Sequence, residues 1–184
     1  MAQQSKNQNI ETSQNVGEAV SKAEKFFKEY GKKVSICTIA VVAVALVIVA
    51  VMQFYVKPLQ AEAANQTYAA EQYFRSGIYD LALNGDGNAL GFAQVVDEYG
   101  KKAGAAVYLY AGICELQLGN ADNAISYLKK YNGKDEILAA RAICCMGDAY
   151  AMKEDYSSAM AQYEKAANYA DNAYAAGYLL KAGM

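Results

Sequence analysis

Four cysteines, Cys37, Cys114, Cys144 and Cys145, are the side chains best equipped for chemistry in this 184-residue chain. Holding a metal tetrahedrally needs thiolates in a C-x-x-C pair or beside imidazoles, and the sequence has neither such a pair nor a single His. The lack of His also removes the commonest general base at neutral pH. Cys37 sits in an apolar run, while Cys114 and Cys145 fall at positions that pack against neighbouring helices. All therefore read as small apolar residues, with a Cys114–Cys145 disulfide as the alternative in an oxidising compartment. The acidic pairs Asp97-Glu98 and Asp135-Glu136 stand near Lys101, Lys102 or Lys134 and read as solvated surface. Asn84-Gly85-Asp86-Gly87-Asn88 shares residues with a calcium loop but lacks its twelve-residue ligand ladder and closing Glu. No glycine-rich loop follows a strand pattern, so nucleotide binding has no support. The residue types thus assign no catalytic, cofactor-binding or metal-ligating residue. They leave protein binding as the expectation, with neither nucleic acid nor a small-molecule substrate as partner.

The elements that would position a binding surface are organised around Val34–Val56, an uncharged run bounded by Lys33 and Lys57. As a helix it would be ~35 Å long, against a hydrocarbon core of ~30 Å. Its Val, Ile, Leu and Phe residues contribute ~4–8 kcal/mol towards insertion. Residues 34–56 are therefore expected to span a membrane. Lys22, Lys25, Lys28, Lys32 and Lys33 precede the run, and only Lys57 and Arg75 follow it closely. The positive-inside bias then places the N-terminus in the cytoplasm and residues 57–184 across the membrane. A cleaved signal peptide is the competing reading, with Ala61 and Ala63 as cleavage-site residues, but the leading segment and the apolar run are both too long for that class.

With one Pro, 16 Tyr, no Trp and a net charge of −2 in the whole chain, the body outside the run reads as all-α, with no basic block for nucleic acid. Residues 1–14 are polar and aperiodic and are expected to be disordered. Residues 15–33 form an amphipathic juxtamembrane helix, opened by Asn15 as N-cap with Glu18 three residues on. Phe26, Phe27, Lys32 and Lys33 lie either at the headgroup surface or against a partner. Pro58 suits the first turn of a new helix, which would run outward and lift the body off the membrane. Beyond it a period emerges: Gly77, Gly112 and Gly147 recur at 35 residues, as do Ala89, Ala124 and Ala159, with Tyr73, Tyr108 and Ile143 four before each glycine. Such a period marks stacked helical hairpins, the small residue allowing two helices to cross closely. The expected repeats are 70–104, 105–139 and 140–174, with a fourth beginning at 175–184 on Leu179 and Gly183. An array that stops within a helix is expected to continue in a longer chain.

The unit from Ala140 to Ala173 resembles the tetratricopeptide repeat, with Ile143, Gly147, Tyr150, Ala159, Tyr163 and Ala166 at its signature positions. Glu115 and Asp80 depart from the usual aromatic, and the repeat's late proline is missing. The resemblance implies a concave groove lined by Phe74, Ile78 and Leu81, then Leu109, Ile113 and Leu116, then Arg141, Asp148 and Met152. Leu109 and Ile113 replace the Lys and Asn of carboxylate-gripping members. A mostly apolar groove suits an apolar segment, unless these residues bury one another. A helix ending in FFKEYGKK (Phe26 to Lys33), one span and then hairpins is similar to the YfgM-like ancillary subunits of the SecYEG translocon. That resemblance implies a periplasmic scaffold at a bacterial inner membrane, handing emerging chains to chaperones beside the translocon and a membrane-anchored prolyl isomerase. The alternative is an adaptor that assembles a different envelope complex without translocon contact.

Overall fold

The computed structural model describes residues 21, 28, 30–169 and 173–184, which form helices and turns with no strand among them. The chain divides between Gln53 and Phe54 into two compact units.

The first unit contains α1 (residues 30–51), the start of a helical run Tyr30–Arg75 that is long and apolar enough to cross a membrane. From Lys32 to Val51 every side chain is exposed. The two hydroxyls in this stretch turn back onto the helix: Ser35 Oγ donates to Lys32 O and Thr38 Oγ1 to Val34 O, at 3.0 and 2.8 Å. The juxtamembrane helix expected over 15–33 falls largely outside the described residues, as do Phe26, Phe27 and the tail 1–14. Ser21, Lys28 and residues 30–33, including Lys32 and Lys33, are helical.

Where the uncharged run ends, Met52–Val56 widens into a π turn. Pro58 explains this, because it has no N–H for the carbonyl four residues back and its ring crowds that carbonyl. Pro58 then occupies the first turn of α2, Lys57–Arg75, as its fixed φ favours.

The second unit continues with α3 (Tyr79–Asn84), α4 (Phe92–Tyr99), a 3-10 turn (Gly100–Ala103), α5 (Ala105–Gln117) and α6 (Ala121–Lys130). It ends with α7 (Glu136–Met152), α8 (Tyr156–Tyr169) and α9 (Ala175–Ala182). Packing is serial: α2 meets α3 and α4, α5 meets α3, α4 and α6, α7 meets α5, α6 and α8, and α8 meets α9. Three core clusters follow one another, centred on Phe92 and Val95, on Leu109 and Leu128, and on Ile143 and Tyr163. Within this unit α2 is part of the body from its start. Leu59 and Ala63, in the first two turns of α2, already join the first cluster.

Three helix ends share one stop. The N–H of Ile78, Asn120 and Asp155 reaches back to the carbonyl of Tyr73, Glu115 and Tyr150 at 2.9, 2.8 and 3.0 Å. The residues just before, Gly77, Gly119 and Glu154, have φ of +73°, +85° and +61°. This is the Schellman arrangement, in which a left-handed residue satisfies the last helix carbonyls. The last two turns are 35 residues apart, whereas Gly77 precedes Gly119 by 42. Gly77 is therefore a turn residue, and the expected crossing series fails in its first member, because a Cβ there would meet nothing within 4 Å. At Gly112 an added Cβ would lie 2.6 Å from Leu128 Cγ, and at Gly147 it would lie 2.5 Å from Tyr163 Cε1. These two are the close helix crossings that the period predicts. Counted from the turn, Ala70 takes their place in the first hairpin and Ala82 takes that of Ala124 and Ala159. Ala70, Ala82 and Ala124 are 0% exposed and Ala159 is 3% exposed. Ala89 lies instead in the loop before α4. In α9 the register is one residue earlier than expected: Tyr178 and Ala182 pack on the third cluster, while Leu179 is 54% exposed.

Candidate protein-docking surface

Of the nine groove residues expected from the repeat, the middle three are core. Leu109, Ile113 and Leu116 are 1%, 9% and 9% exposed and pack against α6 and α7. Neighbouring helices cover α5 so fully that every residue from Val107 to Leu116 except Tyr110 is buried. Phe74 is half-buried, its ring centroid 5.0 Å from Tyr110, 5.8 Å from Tyr79 and 6.1 Å from Phe92, so it joins the first core to the second. Leu81 is half-buried and Ile78, at the start of α3, is exposed. No open apolar groove runs through these two units at the expected residues.

The third unit differs. Arg141 and Asp148 line one cleft of about 290 Å³ between α7 and α9, while Met152 is exposed at the end of α7. Asp148 is committed to the fold, since Tyr163 O–H donates to its Oδ1 at 2.8 Å and Lys181 Nζ to the same oxygen at 2.6 Å. Burial, then the Asp148 bond, pushes the Tyr163 phenol well above its ordinary range. Burial alone would lower the Lys181 pKa, but the hydrogen bond to Asp148 and its charge raise it. The trio latches α9 onto α7 and α8. Sequence reasoning missed Lys181 and Tyr178, whose only signal was their spacing from the preceding repeat.

Beside this latch a groove of about 420 Å³ opens between the ends of α7 and α9 and the start of α8. Ala151, Tyr156, Met160, Tyr163, Ala182 and Met184 line it. One repeat earlier the matching surface is filled: Ile125, the counterpart of Met160, is 7% exposed and shares a core cluster with Ala142, Cys145 and Ala149 of α7. Met160 is 47% exposed and Tyr156 68%, so a helix-shaped apolar surface stands open here.

The remaining polar groups serve the fold. Asp86 accepts from Tyr73 O–H at 2.7 Å and from the N–H groups of Ala89 and Asn88 at 2.8 and 2.9 Å. Those bonds, Tyr73's first, hold its carboxyl down at about 2, so the Asn84–Asn88 segment is a self-closing turn. Buried Glu115 accepts from Asn120 Nδ2 at 2.8 Å. Cys114, Cys145 and Cys144 are unbridged and lie in three different core clusters. Burial pushes the first two up to about 12 and raises the third. They are packing residues, poorly placed to be nucleophiles. Among the described residues no three of Cys, Asp and Glu converge as a metal-binding set. No family model, curated protein or solved structure matches the chain.

Proposed function

We propose that this chain is a single-span, membrane-anchored scaffold of tetratricopeptide-like hairpins that binds other proteins and has no catalytic role. The observation that carries the reading is the pairing of two apolar surfaces. One is the fully exposed α1, and the other is the open groove at the α7–α9 end of a helical stack. In water α1 would be costly at about 25 cal/mol per Å² of apolar surface, and lipid removes that cost. The groove accepts an amphipathic helix, because α7 fills the equivalent surface one repeat earlier. The lysine bias gives a cytoplasmic N-terminus and a body on the far side, which for a bacterial inner membrane is the periplasm. The YfgM-like resemblance supplies the partner class: the Sec translocon, chaperones that receive its products, and a membrane-anchored prolyl isomerase.

Photocrosslinkers placed at Met160, Leu179 and Val47 in native membranes test this. Protein adducts from Met160 and Leu179, absent from an exposed control at Glu164, are the expected result. Adducts from Val47 to a translocon subunit favour channel docking, and lipid adducts alone favour the adaptor reading. If Met160 behaves like Glu164, the groove is not a docking site.

A further inference from the structure

Tyr55 is the second-last residue of the uncharged run, and Lys102 Nζ lies 4.5 Å above its ring centroid. The lysine is 47 positions later in the chain and arrives on the 3-10 turn Gly100–Ala103, which packs against α2. This turn therefore sits beside Tyr55, within the same compact unit. Leu59 and Ala63 hold it there from α2, as does Tyr99, 8% exposed, from the end of α4. Lys101 is exposed beside Lys102 on the same turn. Of the acids around the turn, Glu62 and Glu98 bear on Tyr99, and Asp97 lines a cleft with Lys101. Glu62 is seven residues beyond Tyr55, about 10 Å farther along the helix axis.

We infer that the Gly100–Ala103 turn rests on anionic phospholipid headgroups, with Lys101 and Lys102 as the phosphate-facing cations and Tyr55 as the interfacial ring. A tyrosine at the end of a span belongs at headgroup depth, where its ring lies in the apolar boundary and its hydroxyl in water. A lysine stacked on that ring presents its ammonium to the same layer, and an anionic surface attracts basic groups within a Debye length. Counting charges along the sequence misses these two lysines, because only the fold brings them to the membrane edge. The inference rests on the membrane-spanning reading of α1.

The test uses the full chain with Cys37→Ser, in nanodiscs of phosphatidylcholine alone or mixed with phosphatidylglycerol. A nitroxide is attached at Lys101→Cys, or at Val44→Cys as the span control. Power saturation by oxygen and by a water-soluble nickel chelate then reports depth. The expected result is a label at position 101 shielded from nickel several-fold more in the anionic discs, with Lys102→Glu abolishing that difference and Lys102→Gln reducing it. A label at 101 as nickel-accessible as one at Glu164→Cys in both lipids, while Val44 reads as lipid-immersed, overturns this inference and leaves the spanning reading intact. Nickel access at Val44 overturns both.

Discussion

Gly147→Ala puts the close crossing of α7 and α8 to a quantitative test. In an exposed helix interior this change stabilises by ~1 kcal/mol, because Ala loses less backbone entropy than Gly. Here the new methyl would lie 2.5 and 2.6 Å from Tyr163 Cε1 and Cδ1. The ring cannot swing away freely, since Tyr163 is 7% exposed and its hydroxyl is tied to Asp148. Overpacking of this kind costs ~1–3 kcal/mol, so the gain is cancelled or outweighed, with a net destabilisation of up to ~2 kcal/mol. Gly177→Ala in α9, where an added Cβ meets nothing within 4 Å, is the control and should stabilise by up to ~1 kcal/mol. Urea titration of the detergent-solubilised full chain, followed by far-UV circular dichroism, reads both. A double-mutant cycle with Tyr163→Ala isolates the contact. If Gly147→Ala is instead more stable than the wild type, as Gly177→Ala should be, the crossing of α7 and α8 is loose and the reasoning fails.

Three further outcomes are expected. Asp148→Ala removes the acceptor shared by Tyr163 and Lys181 and should cost ~1–2 kcal/mol. Amide exchange should quicken in α9 and stay unchanged in α5 and α6; uniform quickening would argue against a local latch. Stability should fall on the alkaline side, because burial raises Cys114 and Cys145 from 9.0 to about 12. The unfolded chain sheds these protons near pH 9 while the folded chain keeps them, so the contribution is full below pH 9 and lost between pH 9 and 12. Denaturant midpoints flat across that range would contradict the burial of these thiols. In lipid vesicles a membrane-impermeant maleimide should leave all four cysteines unmodified, and in denaturing detergent it should label four, with two fewer signalling a disulfide.

The sequence made the later hairpins legible because each gives the same residue the same task. Gly112 and Gly147 both stand at helix crossings, and the turns at Gly119 and Glu154 keep the interval between them. The first hairpin was hidden by a conspicuous glycine. Gly77 matches the period of 35 yet serves a turn, while the crossing residue is Ala70, inconspicuous in an Ala-rich helix. Binding residues were harder to place, because an apolar side chain on a groove-facing position and one in the core have the same composition. Leu109, Ile113 and Leu116 are buried because neighbouring helices enclose α5. Arg141 and Asp148 line one cleft, where Asp148 is partnered by Tyr163 and Lys181 and Arg141 is exposed. Lys181, which completes that cleft, lies 33 positions from Asp148 and had no local signal.

The longer first interval has its own consequence for how such an array can change length. The extra seven residues do not lengthen a helix: between Gly77 and Gly119 the chain forms α3, a loop, α4 and a 3-10 turn before α5, where the interval from Gly119 to Glu154 holds α6 and α7 alone. Length is thus absorbed at loops, where Gly85, Gly87, Gly100 and Gly104 turn the backbone and let each helix set its own rotation. An insertion in such a loop need not be a whole number of helical turns to keep the flanking apolar faces aimed inward.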